Sequence, residues 1–142
     1  MERTAHAKWG GDLMTGRGSI RLGSGAYEGP YTFKTRFQGE PGANPEELLG
    51  AAHAGCFSMQ LANDLAQAGH TPTQIETTAS VRVEKVADGY AVTAIELTTN
   101  GDVPGLSQAE FERAADHAKA NCIVSKALGR VPMTVRATLK GA

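Results

Sequence analysis

The sequence predicts an α+β fold in the order ββ(β)–α–ββ–α–β, with the strands in antiparallel sheets. Three observations support this prediction. Short alternating segments are separated by glycines, two segments begin with helix-capping residues, and Asp88-Gly89 joins two long alternating segments. The 142 residues contain no linker, repeat or low-complexity stretch. We therefore expect one domain over residues 1–142.

The first third of the chain predicts strands. Residues 4–9 and 18–22 are short extended segments, each followed by glycines. Residues 31–37 alternate clearly, and Lys34 and Arg36 fall on the face opposite the aromatic residues. This pattern predicts a strand that leads towards the first helix and carries Arg36 near its end.

The first helix is predicted to begin at Asn44, a good N-cap, with Pro45 at the first helical position. The acidic residues Glu46 and Glu47 favour the positive end of the helix dipole. Gly69 marks the end of the helix. The middle of this segment is apolar nearly all round, so we expect the helix to be buried on more than one side.

The second half of the chain predicts a hairpin over residues 75–99, then a helix and a last strand. Ser107 and Glu110 have the spacing of a capping box. The second helix is predicted to continue to Cys122, and residues 133–139 alternate as a strand.

Charge and hydropathy exclude several classes of partner. The chain has 14 basic and 15 acidic residues without a basic stripe, so we expect no nucleic-acid partner. No apolar segment approaches the roughly 20 residues that span a bilayer, so we expect no membrane association. The polar start of the chain does not resemble a signal peptide. We therefore expect a cytoplasmic protein in a reducing compartment, where paired cysteines more often serve redox or metal chemistry.

The two cysteines, Cys56 and Cys122, each lie in a predicted helix. A cysteine attacks as its thiolate, so a reactive Cys56 in an apolar helix needs a cation or a hydrogen-bond donor from elsewhere. The candidate cations are Arg36, Arg82, Lys126 and Arg130. Arg36 is favoured because it precedes the helix, and Glu46 can hold its guanidinium through a bidentate pair. Glu46 and Cys56 are about 15 Å apart along a straight helix, so the reach of Arg36, a bend at Gly50 or Gly55, or a second subunit must close this gap.

Two other interpretations of these residues remain open. Free cysteines often pack as small apolar side chains, and His53 fits a core or interface histidine. Alternatively, His53, Cys56, His117 and Cys122 supply the ligand types of a tetrahedral zinc site. Five positions rotate a helix by about 140°, however, so His117 and Cys122 would not share a face.

Several motifs together resemble the OsmC/Ohr family, the osmotically inducible and organic-hydroperoxide-resistance proteins. These motifs are Thr35-Arg36-Phe37-x-Gly39, Asn44-Pro45-Glu46-Glu47-Leu48, Ala51-Ala52-His53-Ala54-Gly55-Cys56-Phe57-Ser58-Met59 and Cys122-x-Val124-Ser125. The likeness extends to Ala7-x-Trp9 and Val103-Pro104-Gly105. The chain looks closest to the OsmC branch, because its arginine directly precedes the helix. Arg17 and Arg21, nearer the position used in the Ohr branch, are the alternatives.

The resemblance implies a thiol-dependent peroxidase of oxidative and osmotic stress defence. It would need no metal or organic cofactor and would reduce organic hydroperoxides better than H2O2. Cys56 matches the peroxidatic cysteine, Cys122 the resolving cysteine, and Arg36 with Glu46 the activating ion pair. The resemblance also implies an intertwined homodimer, with antiparallel sheets wrapped around central helices. The disulfide formed in each turnover would be reduced by an external dithiol of the lipoyl or thioredoxin type.

The sequence departs from the family pattern after the second helix. Ile123 stands where a proline commonly follows the cysteine, and Asn121 stands where glycine is common. We expect apolar neighbours such as Phe37, Leu49 and Phe57 to favour an alkyl hydroperoxide. A small-molecule or lipid binder and a thiol-dependent acyl hydrolase are the alternative functions on the same scaffold.

Overall fold

The computed structural model describes residues 1–142, which form two compact units, Met1–Leu48 and Leu49–Ala142. The first unit contains an antiparallel sheet of three strands in the order β1 (Ala5–Gly10), β2 (Arg17–Leu22) and β3 (Glu28–Tyr31). A short helix, α1 (Phe33–Phe37), follows, and the long helix α2 (Pro45–Gln67) begins in this unit.

An aromatic contact crosses the middle strand of this first sheet. Trp9 of β1 and Tyr31 of β3 both lie opposite Gly18 of β2, and their ring centroids are 5.2 Å apart. A Cβ atom at Gly18 would lie 2.5 Å from the Tyr31 ring and 2.7 Å from the Trp9 ring. Glycine at this position therefore allows the two rings to meet.

The predicted strand over residues 31–37 is wrong, because β3 ends at Tyr31 and α1 follows. Thr32 and Thr35 form a capping box, in which each side chain accepts a hydrogen bond from the other residue's backbone N–H. Phe33 and Phe37 are four residues apart, a spacing that puts two side chains on one face of either a strand or a helix. Their rings pack 5.0 Å apart on α1. Arg36 therefore lies on a helix and not on a strand.

The second unit contains the hairpin of β4 (Gln74–Val86) and β5 (Gly89–Asp102), then α3 (Gln108–Asn121), α4 (Ile123–Ala127) and β6 (Met133–Leu139). The sheet order is β4-β5-β6. The hairpin is antiparallel as predicted, but β6 runs parallel to β5, so the expectation of purely antiparallel sheets is wrong here. The helices α3 and α4 form the crossover that a parallel pair requires.

Capping residues determine both ends of α2. The Asn44 side chain accepts a hydrogen bond of 2.8 Å from the Glu47 backbone N–H, and Gly69, with a φ of 89°, follows its last turn. The helix buries one stripe at helical spacing, made of Gly50, His53, Phe57, Leu61 and Leu65. On another face, 77% of Met59 is exposed. Burial on more than one side is therefore not reached within a single chain.

The core of the second unit lies between this stripe, the sheet and α3. Phe57, Leu61, Ile95, Leu97 and Phe111 are almost completely buried there. None of the helices combines the length and the apolar character that crossing a membrane requires.

Candidate active site

An ion pair in the first unit joins α1 to the first turn of α2. The Arg36 Nε donates to both Glu46 carboxylate oxygens at 3.1 Å, and Nη2 donates to Oε1 at 2.7 Å. The side chain of Glu46 is 12% exposed and that of Arg36 is 37% exposed. Such a two-point contact fixes the plane of the guanidinium as well as its position.

The turn between α1 and α2 brings these two side chains within reach of each other. Thr35 Oγ1 donates to the Ala43 carbonyl at 3.0 Å, and Asn44 Nδ2 donates to the Thr35 carbonyl at 3.3 Å. Gly42 has a φ of 146°, and a Cβ atom there would lie 2.9 Å from Thr35 Cγ2. Thr35 thus both caps α1 and ties it to the start of α2.

Arg36 also borders an aromatic pocket of about 190 Å³ in the first unit. The pocket is lined by Trp9, Leu13, Tyr31, Thr32, Phe33, Arg36 and Phe37. The Arg36 guanidinium carbon lies 5.0 Å from the centre of the Phe37 ring, within cation–π distance. The pocket therefore combines an apolar wall with one cation.

Sequence reasoning identified only part of this lining. Phe37 lines the pocket as expected, whereas Phe57 is completely buried in the core of the second unit and is not part of this lining. Trp9 and Tyr31 were missed because pairing across three strands brings them together. A helical interpretation of the four-residue spacing between Phe33 and Phe37 would have placed the Phe33 ring beside Phe37 and so identified it as part of the lining.

The two cysteines lie in the second unit, and both are free thiols. Cys56 is half-buried on α2 and packs against the core cluster that contains Cys122. Cys122 is completely buried at the junction of α3 and α4. Its sulfur is the N-cap of α4 and accepts a hydrogen bond of 3.3 Å from the Ser125 backbone N–H.

Ile123 occupies the first position of α4, where proline is common in helices. Cys122 before it is extended, with φ −64° and ψ 144°, the conformation that a residue before proline prefers. The backbone at Cys122 thus has the conformation that a following proline would require, although residue 123 is isoleucine.

A buried histidine contacts the same junction. His53 Nε2 lies 2.7 Å from Ser125 Oγ, which lies 3.1 Å from Cys122 Sγ. Burial lowers the pKa of His53 below its ordinary value of 6.5, so the ring is neutral near pH 7. Its Nδ1 is buried without a hydrogen-bond partner, a state that costs about 1–3 kcal/mol. The sequence favoured a satisfied core or interface histidine at this position and gave no indication of the unpaired atom.

The zinc-site alternative is wrong, because its four residues do not come together. No three His, Cys, Asp or Glu side chains cluster in a way that could hold a metal ion. His117 instead pairs with Asp64, its Nδ1 lying 2.9 Å from Oδ2.

The other candidate cations are exposed and form no salt bridge, whereas Arg36, although also exposed, is held by the Glu46 carboxylate. These exposed cations are Arg17, Arg21, Arg82, Lys126 and Arg130. Arg36 with Glu46 is thus the one predicted combination of cation and carboxylate that the structure pairs.

The family assignment rests on comparison with known proteins. The sequence profile of the OsmC-like protein family matches residues 37–136. The chain belongs to this family. A protein named peroxiredoxin OsmC from Escherichia coli (strain K12) is 47% identical over 129 residues, which cover 90% of each chain. An organic hydroperoxide resistance protein from Xanthomonas axonopodis pv. citri (strain 306) is 30% identical over 99 residues, or 68% of each chain.

Solved structures of OsmC-like proteins share the α+β fold. An organic hydroperoxide resistance protein from Elizabethkingia anophelis superposes with a TM-score of 0.76 at 22% identity, covering 99% of both chains. The organic hydroperoxide resistance protein OhrB of Bacillus subtilis gives a TM-score of 0.72 at 24% identity, covering 96% of this chain and 98% of its own. The predicted OsmC/Ohr membership and the α+β class are both confirmed.

Proposed function

We propose that this chain is a cysteine-based peroxidase that reduces organic hydroperoxides, and H2O2 less well, to alcohols or water. The observation that carries this proposal is the 47% identity to a peroxiredoxin OsmC over nine-tenths of the chain. The stretch matched by the family profile, residues 37–136, spans the positions of Glu46, Cys56 and Cys122. The two free thiols in the second unit support the same chemistry, since a peroxidase must start its cycle reduced.

Cys56 is the proposed peroxidatic residue. Its thiolate attacks the outer oxygen of the hydroperoxide, a sulfur–oxygen bond forms, and the O–O bond breaks. The alkoxide leaves with the electron pair and takes a proton to become an alcohol, while Cys56 becomes a sulfenic acid. Its half-buried position on α2 supports this role, because a small oxidant can reach a thiol that the core does not fully enclose.

Cys122 is the proposed resolving residue. Its sulfur displaces the sulfenic oxygen as water and forms a disulfide with Cys56, and an external dithiol of the lipoyl or thioredoxin type then reduces this bond. We place the cycle in the cytoplasm, where such dithiols are kept reduced. The packing of Cys56 against the cluster that contains Cys122 supports the pairing.

Arg36 and Glu46 are the proposed activating ion pair. The contacts to Glu46 use Nε and Nη2 of Arg36, which leaves the Nη1 donors for peroxide oxygens. A fixed cationic donor stabilises the charge that develops on those oxygens during O–O cleavage. The aromatic pocket beside Arg36 supports the preference for a hydroperoxide with an organic group.

An intertwined homodimer is the proposed assembly, with residues 1–142 acting as one OsmC-like domain in each chain. The exposed apolar face of α2 supports this proposal, because Ala51, Ala52 and Met59 face away from the buried stripe. An apolar helix face of this kind is normally covered by another surface. Size-exclusion chromatography with light scattering tests it, and a monomer at micromolar concentration would contradict it.

Intact-mass spectrometry after one equivalent of cumene hydroperoxide tests the peroxidase cycle. We expect the unaltered protein to lose the mass of two hydrogens as the Cys56–Cys122 disulfide forms. The Cys122→Ser variant should instead gain one oxygen, trapped as sulfenic acid at Cys56, and Cys56→Ser is the matched control that should not change. An unaltered mass in all three proteins would refute the proposed function.

A further inference from the structure

A buried chain of three side chains links α2 to the α3–α4 junction, and the peroxidase cycle described above uses only one of them. His53 Nε2, Ser125 Oγ and Cys122 Sγ are joined by contacts of 2.7 Å and 3.1 Å. His53 and Cys122 are completely buried, and Ser125 is 5% exposed. Fixed hydrogen bonds at these distances, away from solvent, can carry a proton.

The position of His53 is hard to explain by packing alone. It occupies the buried stripe of α2, whose other members are glycine, phenylalanine and leucine. An apolar residue there would avoid burying an unpaired Nδ1. Buried polar atoms without partners are rare in folded proteins, and a catalytic role is one of the reasons for which such an atom is retained.

The protonation state of His53 suits a proton acceptor. Burial lowers its pKa, so the ring is neutral at physiological pH and one nitrogen carries a lone pair. With the ring proton on Nδ1, Nε2 accepts from the Ser125 hydroxyl, and Ser125 Oγ accepts from the Cys122 thiol. In this arrangement each group donates its proton to the next, from the Cys122 thiol through the Ser125 hydroxyl to the His53 imidazole.

We propose that Ser125 and His53 activate Cys122 as a nucleophile, with Ser125 passing the thiol proton to His53. Ser125 Oγ takes the proton from Cys122 while its own hydroxyl proton moves to His53 Nε2. In the proposed peroxidase cycle, on which this use of the relay rests, the Cys122 sulfur then forms the S–S bond as the S–O bond of the Cys56 sulfenic acid breaks. The departing hydroxide and the proton held by His53 together give water, so atoms and electrons balance.

Ser125 has a second role in the same step. Its backbone N–H already donates to the Cys122 sulfur at 3.3 Å, and after proton transfer its hydroxyl donates as well. Two donors from one residue would therefore stabilise the buried thiolate. Ser125 touches the reacting sulfur, whereas His53 acts through Ser125 and positions it.

A disulfide-exchange assay tests the relay without any peroxide. One equivalent of 4,4′-dithiodipyridine should react first with the half-buried Cys56, releasing one thiopyridone and leaving a mixed disulfide. Cys122 should then displace the second thiopyridone and form the Cys56–Cys122 bond. The second release is intramolecular, so its rate reports the nucleophilicity of Cys122 and should not depend on reagent concentration.

The variants separate a proton relay from simple packing. We expect Ser125→Ala and His53→Gln to slow the second release by about 10²-fold, the usual contribution of a positioned acid or base, and to leave the first release unchanged. Glutamine can still hydrogen-bond to Ser125 but cannot take a proton at neutral pH. Ser125→Thr keeps the hydroxyl and should retain most of the rate. Circular dichroism and thermal melting check that each variant folds.

Three results would overturn the relay. They are a second release in His53→Gln as fast as in the unaltered protein, an equally fast one in Ser125→Ala, or a single release from the unaltered protein. The assay also separates this proposal from the peroxidase proposal. A protein that releases both thiopyridones through the relay but is not oxidised by cumene hydroperoxide would refute the peroxidase and leave the relay intact.

Discussion

Replacing Arg36 with alanine should separate the catalytic contribution of the ion pair from its contribution to stability. The change removes all three hydrogen bonds that the Glu46 carboxylate receives from the guanidinium. Glu46 is 12% exposed while Arg36 is present, so the variant leaves a shielded carboxylate without its partner. We expect the free energy of unfolding to fall by about 1–3 kcal/mol, the cost of a buried polar group without a partner.

The effect of Arg36→Ala on the chemical step should be larger. Loss of one fixed donor to a developing negative charge typically slows a reaction by about 10²–10³-fold, or about 2.7–4 kcal/mol of barrier. Stopped-flow fluorescence with cumene hydroperoxide, in single turnover of the reduced protein, measures the second-order rate of Cys56 oxidation. Arg36→Lys keeps the charge but loses the bidentate geometry, so its rate should be intermediate.

The double variant Arg36→Ala/Glu46→Gln is the matched control. The neutral amide costs less to bury than a carboxylate, so most of the lost stability should return, whereas the oxidation rate should stay low. If the double variant recovered both stability and rate, the slow oxidation in Arg36→Ala would result from impaired folding and not from the loss of a catalytic donor. A single variant that reacts as fast as the unaltered protein would equally refute the role assigned to Arg36.

The remaining predictions concern stability. Ile123→Pro should raise the free energy of unfolding in urea by about 0.4–1 kcal/mol, because the backbone is already compatible with proline; a clear loss would contradict this reading of α4. The folded pKa of His53 lies below the unfolded value of 6.5, so the unfolded chain binds a proton first as the pH falls. Stability should therefore decline below pH 6.5, by at most about 1.4 kcal/mol per unit for one group. His53→Gln should remove this part of the slope in urea titrations between pH 7 and 5, and an identical slope would contradict the assignment. Gly101→Ala should cost about 1–3 kcal/mol, because its Cβ would lie 2.4 Å from the Phe111 ring, whereas the control Gly10→Ala meets nothing within 4 Å. Equal melting temperatures for the two glycine variants would contradict this account of the core.

Most elements could be predicted because their signals are local. Asn44 and Ser107 each precede a helix by one residue, and their side chains bond to backbone groups three positions on. A hairpin at Asp88-Gly89 likewise depends on neighbouring residues only. Such patterns stay within a few residues of sequence, so a single chain reveals them.

The wrong prediction of a strand over residues 31–37 also has a local cause. Phe33 and Phe37 are four apart, which fits the period of a strand as well as that of a helix. The hydrogen bonds between Thr32 and Thr35 form a capping box and so stabilise the helix instead of a strand. The parallel direction of β6 has a different cause, because it depends on the path of the crossover and not on any property of residues 133–139.

The sequence by itself determined the family, the order of most elements, and four candidate residues: Arg36, Glu46, Cys56 and Cys122. Their catalytic roles come from the resemblance and stay predictions. Arg36 and Glu46 could be paired in advance because they lie only ten positions apart in the chain, although Arg36 was expected on a strand.

Only the tertiary structure decided what surrounds these residues. The rings of Trp9 and Tyr31 meet because two strands pair with β2. His53 reaches Ser125 from 72 positions away in the chain because α2 packs its buried stripe against the core of the second unit. Contacts between residues so distant in sequence arise from burial of apolar surface, which is non-directional and leaves no local pattern to read. The unpaired nitrogen of His53, and with it the relay to Cys122, could therefore be found only in the folded chain.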